Sequence, residues 1–329
     1  FFGANEDTTG LSAFHAPSVL SVDLKNLKLF RPVPNVHMPL HTIAHPVHAL
    51  TTGGFHINLI YDSAALAAPQ SFRDGIQAAA NILESTLSDN ITVNIKIDYS
   101  GTGGGAAAGP DGGLFESYSS TRSDLINNAT SGDHTFDDLP SGSTIGGQSQ
   151  VAVWNAQLKL FGLLSANDTS TDDGSATFST DIDPSLLVGV ALHELTHALG
   201  RIPYGSPDSS SPDIFDFFRF TSAGNILIDD HIPASASAYF SIDGGNTKLA
   251  DYGVNSDPSD FLNSGVQGPN DPFNEFYSGS TQQTLTNVDI EQLVALGFHV
   301  ATGAPDLTAA GAAFNGSQFA FTVKNSGSA

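Results

Sequence analysis

Apolar and polar residues alternate in two early stretches of the chain. Phe55, Ile57, Leu59 and Tyr61 alternate with His56, Asn58 and Ile60, and Ile91, Val93, Ile95, Ile97 and Tyr99 alternate with polar residues. That period of two predicts strands. Between them Phe72, Ile76, Ala79, Ala80, Leu83 and Leu87 recur at helical spacing, predicting an amphipathic helix over 71–87. Strand, helix, strand predicts a right-handed β-α-β unit opening an α/β domain at 53. Residues 101–147 are rich in Gly, Ala, Ser and Asp with few apolar anchors, which predicts a long irregular excursion framing a cleft. Further strands are expected at 150–154 and 176–180, with a short helix at 156–164. The strand at 150–154 is the candidate edge on which an extended peptide could pair.

A further helix is expected from Asp183. Asp183 suits the N-cap and Pro184 the first helical position, where a missing N–H costs nothing. Val188, Leu192, Leu195 and Leu199 recur at i, i+4, i+7 and i+11 and form a dry face. Gly200 then suits a left-handed terminating conformation. A closing helix over 287–296 would pack Val288, Leu293, Val294 and Leu296 inward.

Composition narrows the function. The chain has 329 residues, with 11 Lys+Arg against 34 Asp+Glu and a net charge of −23. Such a balance excludes nucleic acid and anionic membrane surfaces as natural partners. There is no cysteine, which removes disulfides, Cys-ligated zinc, thiol catalysis and a cysteine-switch pro-segment. No stretch approaches the roughly 20 apolar residues of a membrane span, and no signal peptide is present. A first residue of Phe rather than Met suggests that an upstream segment has been removed. The acidic, Lys-poor, Gly/Asp/Ser-rich make-up reads as that of a secreted or cell-surface bacterial protein.

The chemistry is stated at 193–197, where His193-Glu194-x-x-His197 forms an H-E-x-x-H pattern on the predicted helix. Four residues are about 400° of helical rotation, so both imidazoles stand on one face, one turn apart, within reach of a single Zn2+. Glu194 lies beside that position, where a general base belongs. The plain reading of the same residues is a surface helix with two solvated histidines.

The layout also resembles the metzincin zinc endopeptidases: strand, long helix, strand, excursion, edge strand, then an H-E-x-x-H-x-x-G helix. The resemblance implies an α/β (α+β) fold with a twisted mixed sheet. In that clan the third ligand would fall at position 203, which is Pro203 here, and the only methionine, Met38, lies too far upstream for a Met-turn. The chain downstream is similar to a group of secreted bacterial zinc metalloproteases. The segments that carry this similarity are His193 to Arg201, Asp216-Phe-Phe-Arg-Phe220, Tyr239-Phe-Ser-Ile-Asp-Gly-Gly245 and Asp289 to Phe298. It implies a zinc endopeptidase over 53–303 acting on protein or peptide substrates.

A hydrolytic zinc site takes three protein ligands and an open position. Candidates for the third are Tyr204, Asp208, Asp213, Asp216 and His231, with Asp216 first, then Asp213, then His231. The competing role for Asp216 is a buried salt bridge with Arg219 or Arg201. An oxyanion helper is sought among Tyr204, Tyr239, Tyr252 and His231. Asp251, Asp257, Asp260 and Asp271, with Asn255, Asn263 and Asn270, form an oxygen-rich region that could hold Ca2+ or simply be solvated. Residues 1–52, with His15, His37, His41, His45 and His48 among prolines, read as an irregular arm, or as a metal-binding or inhibitory pro-segment. Residues 304–329 resemble the start of a β-sandwich adhesion-type module whose continuation would allow surface attachment. The alternative to an enzyme is an exported structural protein carrying an inactive metalloprotease-like domain.

Overall fold

The computed structural model describes residues 54–204 and 211–301, together with three strands outside them, Ser12–His15, Leu307–Phe314 and Phe319–Asn325. The histidines at 37–48, Met38 and Asp208 lie outside the described residues. In chain order the elements are β1 (Ser12–His15), β2 (His56–Tyr61), α1 (Ser63–Ala67), α2 (Gln70–Thr86), β3 (Thr92–Tyr99), β4 (Ala106–Pro110), β5 (Gly112–Ser117), α3 (Tyr118–Asn128), β6 (Gln150–Trp154), α4 (Asn155–Leu160) and β7 (Gly174–Phe178). After them come α5 (Leu187–Ala198), a 3-10 turn at Phe215–Phe218, β8 (Arg219–Ser222), β9 (Asn225–Ile226), β10 (Tyr239–Phe240), β11 (Ala250–Asp251), α6 (Asn287–Ala295), β12 (Leu307–Phe314) and β13 (Phe319–Asn325).

The fold is mixed α/β around a twisted mixed sheet of order β2-β3-β7-β4. The first three strands run parallel and β4 closes the edge antiparallel to β7. The expected strand-helix-strand unit is therefore present, with α1 and α2 between parallel β2 and β3. Alternation in β3 promised one wet face, yet Thr92 and Asn94 are buried along with Val93, Ile95 and Ile97. An interior parallel strand is covered on both sides, so its polar side chains need partners inside. Asn94 donates through Nδ2 to the carbonyls of Asp168 and Thr171, and Asp173 accepts from both the Asn94 N–H and Lys159 Nζ.

The 101–147 excursion is more ordered than its composition predicts. It contains β4, β5 and α3, because Ala106 to Gly109 needs no large side chain to pair with β7. The strand at Gln150–Trp154 is β6, an edge of a separate sheet of order β1-β5-β6. In that place it is not the edge beside the H-E-x-x-H helix; β4 is.

Helix α5 is the centre of the molecule. Every residue from Leu187 to Ala198 is buried except Val188, so the helix has two packed faces rather than a dry face and a wet one. It crosses α2 closely at Gly75, where an added Cβ would come 2.6 Å from Leu187 Cδ2. Its start is later than expected: Asp183 accepts from the N–H and hydroxyl of Ser185 in a preceding turn. Its end follows the expectation. Gly200 has φ +108, its N–H donates to His197 O and the Arg201 N–H to Thr196 O, the paired bonds of a glycine-terminated helix. Helix α6 is capped by Thr286, whose hydroxyl accepts from Asp289 N–H, and buries Leu293 and Ala295. Among the described residues no helix is long and apolar enough to cross a membrane.

Candidate metal centre

Both motif histidines are anchored through the nitrogen that faces away from the cleft. His193 Nδ1 lies 2.9 Å from Pro272 O, and His197 Nδ1 lies 2.6 Å from Arg201 O. A carbonyl only accepts, so each Nδ1 carries a proton, and in the neutral ring Nε2 is the nitrogen with the lone pair. The Gly200 turn thus has a chemical consequence: it swings the Arg201 carbonyl back onto His197. The two rings stand 4.5 Å apart between centroids at 65°.

A third donor converges with them, and it is Asp260. Its Oδ1 lies 2.8 Å from His193 Nε2 and 3.2 Å from His197 Nε2. That atom is buried and has no hydrogen bond of proper geometry. All three ligand atoms lie within 4.8 Å of one another, and the three residues are buried. Ligand atoms that converge in this way suit a cation, since tetrahedral ligands with bonds of about 2.0 Å are roughly 3.3 Å apart. His193, His197 and Asp260 could therefore hold a metal ion.

Arg201 ties this triad together. It is wholly buried, donates from Nε to Thr196 Oγ1 at 3.0 Å and from Nη1 to Ser259 O at 2.9 Å, and lies over the Phe273 ring at 4.1 Å. Its Nη2 lies 3.0 Å from His197 Nε2. The guanidinium thereby locks the helix to the 257–260 loop that brings Asp260 in.

The electrostatics follow from dry surroundings. Burial, opposed by His193, lifts the Glu194 carboxyl to about 8. Its Oε2 has no partner. Burial and the positive charge of Arg201 press His197 down. Burial also disfavours the charge on His193, but the Asp260 carboxylate outweighs it and the net shift is upward. Asp260 itself is pulled below the carboxylate range by the two histidines in spite of its burial. The cleft above these groups is lined by Ala106, Ala107 and Ala108 of β4 and by Tyr277. The Tyr277 ring lies 5.7 Å from that of His193, and its hydroxyl is buried without a partner.

No protein-family model, curated protein or solved structure matches the chain.

The expected third ligands are elsewhere. Asp216, ranked first, is buried in the 3-10 turn, where Arg219 Nη1 donates to its Oδ1 at 3.3 Å and the Asp213 N–H to its Oδ2. This is the salt-bridge role that competed with the ligand role. Burial raises its carboxyl to about 7 against the pull of Arg219. Asp213 returns the bond to the Asp216 N–H and accepts from Trp154 Nε1 at 2.9 Å, which pins β6 to this turn. His231 is largely exposed and pairs with Asp229. Asp229, Asp230 and His231 lie close enough to hold an ion. Asp229, however, already accepts from the His231 and Ser235 N–H groups as a loop cap.

The expected oxyanion helpers are also occupied. The Tyr239 hydroxyl donates to Gly245 O, the Tyr252 hydroxyl accepts from Gln292 Nε2, and Tyr204 packs on Trp154 and Phe115. The oxygen-rich loop does not gather into one calcium cage. Asp251 pairs with Lys248, Asp257 caps Ser259, Asp271 accepts from Thr286 Oγ1, and only Asp260 joins the histidines.

Proposed function

We propose that the protein is a zinc-dependent endopeptidase. One observation carries the reading: the Nε2 atoms of two Nδ1-anchored histidines and a buried Asp260 oxygen converge on one point, beside a Glu194 oxygen that has no partner. Two imidazoles and one carboxylate form a donor set suited to zinc with a position left for water. When bound there, zinc acidifies water and polarises a carbonyl.

The rest is the work of the chain's own side chains. Glu194 is the general base. Burial lifts its carboxyl to about 8, which makes it a stronger base than an ordinary carboxylate for the proton it takes from water and returns to the leaving amine. Tyr277 presents an uncommitted O–H to the same cleft, as a donor to negative charge developing on the scissile carbonyl oxygen. The edge strand β4 offers backbone groups on its side away from β7, along which an extended substrate can pair as an additional strand.

The test combines zinc content with cleavage of casein or gelatin, with and without chelator. One bound zinc and chelator-sensitive cleavage are expected, and Glu194→Gln should keep the zinc and lose turnover. Activity that survives Glu194→Gln, or protein purified without zinc affinity, would overturn the reading.

A further inference from the structure

The walls of the cleft differ in chemistry. On one side Ala106, Ala107 and Ala108 of β4 bring no side chain larger than a methyl group. On the other stand Ser256, Asp257 and Glu275, and among the described residues that line the cleft there is no Lys or Arg. Glu275 is half-buried, fixed by Ser256 Oγ at 2.8 Å and by the Asn263 backbone, and it stands within electrostatic range of Asp260. Asp257 lines the same cleft, held by the Ser259 N–H and hydroxyl.

Three carboxyl groups besides Glu194, on Asp257, Asp260 and Glu275, line this cleft, and the nearby cation is the guanidinium of Arg201. Arg201 is spent on the protein itself, with bonds to Thr196, Ser259 and both histidines. The cleft is also built to receive something, since Glu194 Oε2 and the Tyr277 hydroxyl are buried in it with no partner. A long basic side chain fits both walls, laying its methylene stem along alanines while its charged head reaches carboxylates.

We propose that this cleft selects substrates with a lysine or arginine beside the scissile bond, and that Glu275, supported by Asp257, is the residue that sets the preference. The inference rests on the endopeptidase reading. A net charge of −23 acts in the same direction by drawing cationic segments toward the protein.

Peptides identical except for Lys, Arg, norleucine or Glu at each position flanking the bond would be cleaved by the zinc-loaded full chain. At one position the wild type should favour Lys and Arg over norleucine by about tenfold in kcat/KM, the size of one charge-assisted bond. Glu275→Gln should bring the ratio of kcat/KM for the Lys peptide over the norleucine peptide close to one, and Glu275→Lys should turn the preference toward Glu. Equal cleavage of the Lys and norleucine peptides by wild type overturns the inference whether or not the variants fold. A preference unchanged in folded Glu275→Gln also overturns it. Cleavage of no peptide at all removes the endopeptidase reading itself.

Discussion

Replacing Tyr277 with Phe should make the protein more stable and much less active. The hydroxyl is buried with no partner, so the folded state bears the cost of an unsatisfied O–H that the unfolded chain leaves to water. In a fully dry site that cost is roughly 1–3 kcal/mol. Because this cleft opens to solvent, the lower end, ~1 kcal/mol, applies. For a domain of this size the gain corresponds to a rise in melting temperature of about 2–4 °C. The ring stays in place against His193, so packing is unchanged. Catalysis should lose the donor to the developing oxyanion, a fall in kcat of about 10²–10³, with KM little altered. Thermal melts of the metal-free proteins and steady-state kinetics on a fluorogenic peptide measure the two effects. A variant that melts lower than wild type would mean the hydroxyl has a structural partner. A kcat within threefold of wild type would mean it donates nothing to the reaction.

Glu194→Gln should reduce kcat by about 10²–10⁴ while zinc stoichiometry, read by atomic absorption, is unchanged. Two aspartates separate ligand from scaffold. Asp260→Asn should weaken zinc binding by more than about 100-fold, since losing even an outer-shell partner costs 10–100-fold. Asp216→Asn should leave zinc affinity alone but cost about 3–5 kcal/mol in denaturant melts, because it leaves the Arg219 charge buried and unpaired. Equal zinc loss in both variants would contradict the assignment. Glu116 supplies a pH test away from the metal. Burial and the nearby Asp124 raise its carboxyl to about 7. Between the ordinary Glu range and pH 7 the folded state holds a proton that the unfolded chain has released, so this contribution to stability is greatest at low pH and disappears as pH rises through 7. Glu116→Gln should therefore flatten that part of the stability profile and stabilise the protein at pH 8 by about 1–3 kcal/mol. Parallel profiles would refute it.

The parts of the fold and site that could be read in the sequence were the local ones. Helix α2, with Phe72, Ile76, Ala79, Ala80 and Leu83 buried, follows directly from its spacing. So do the placement of His193 and His197 on one helical face and the turn at Gly200. Strand β4 could not be read because Ala106 to Pro110 carries no periodic signal; it is a strand because β7 offers an unpaired edge. Asp260 and Tyr277 were missed as site residues for a different reason. They lie far from the motif along the chain and reach it only through tertiary packing, with Arg201, Phe273 and the Pro272 carbonyl as links. Asp216 misled because a carboxylate among aromatics just after the motif helix suits a ligand and an ion pair equally well, and Arg219, three residues on, decides for the ion pair.

The order in which these parts leave the ribosome matters. His193 and Glu194 emerge well before Asp260, the Pro272 carbonyl that orients His193, and Tyr277. Until roughly eighty further residues have been made and docked, the first imidazole has nothing to fix its tautomer and a cation would find only two of its protein donors. Under the endopeptidase function proposed above, a nascent or half-folded chain would therefore cleave nothing, and cleavage would begin only with the finished domain.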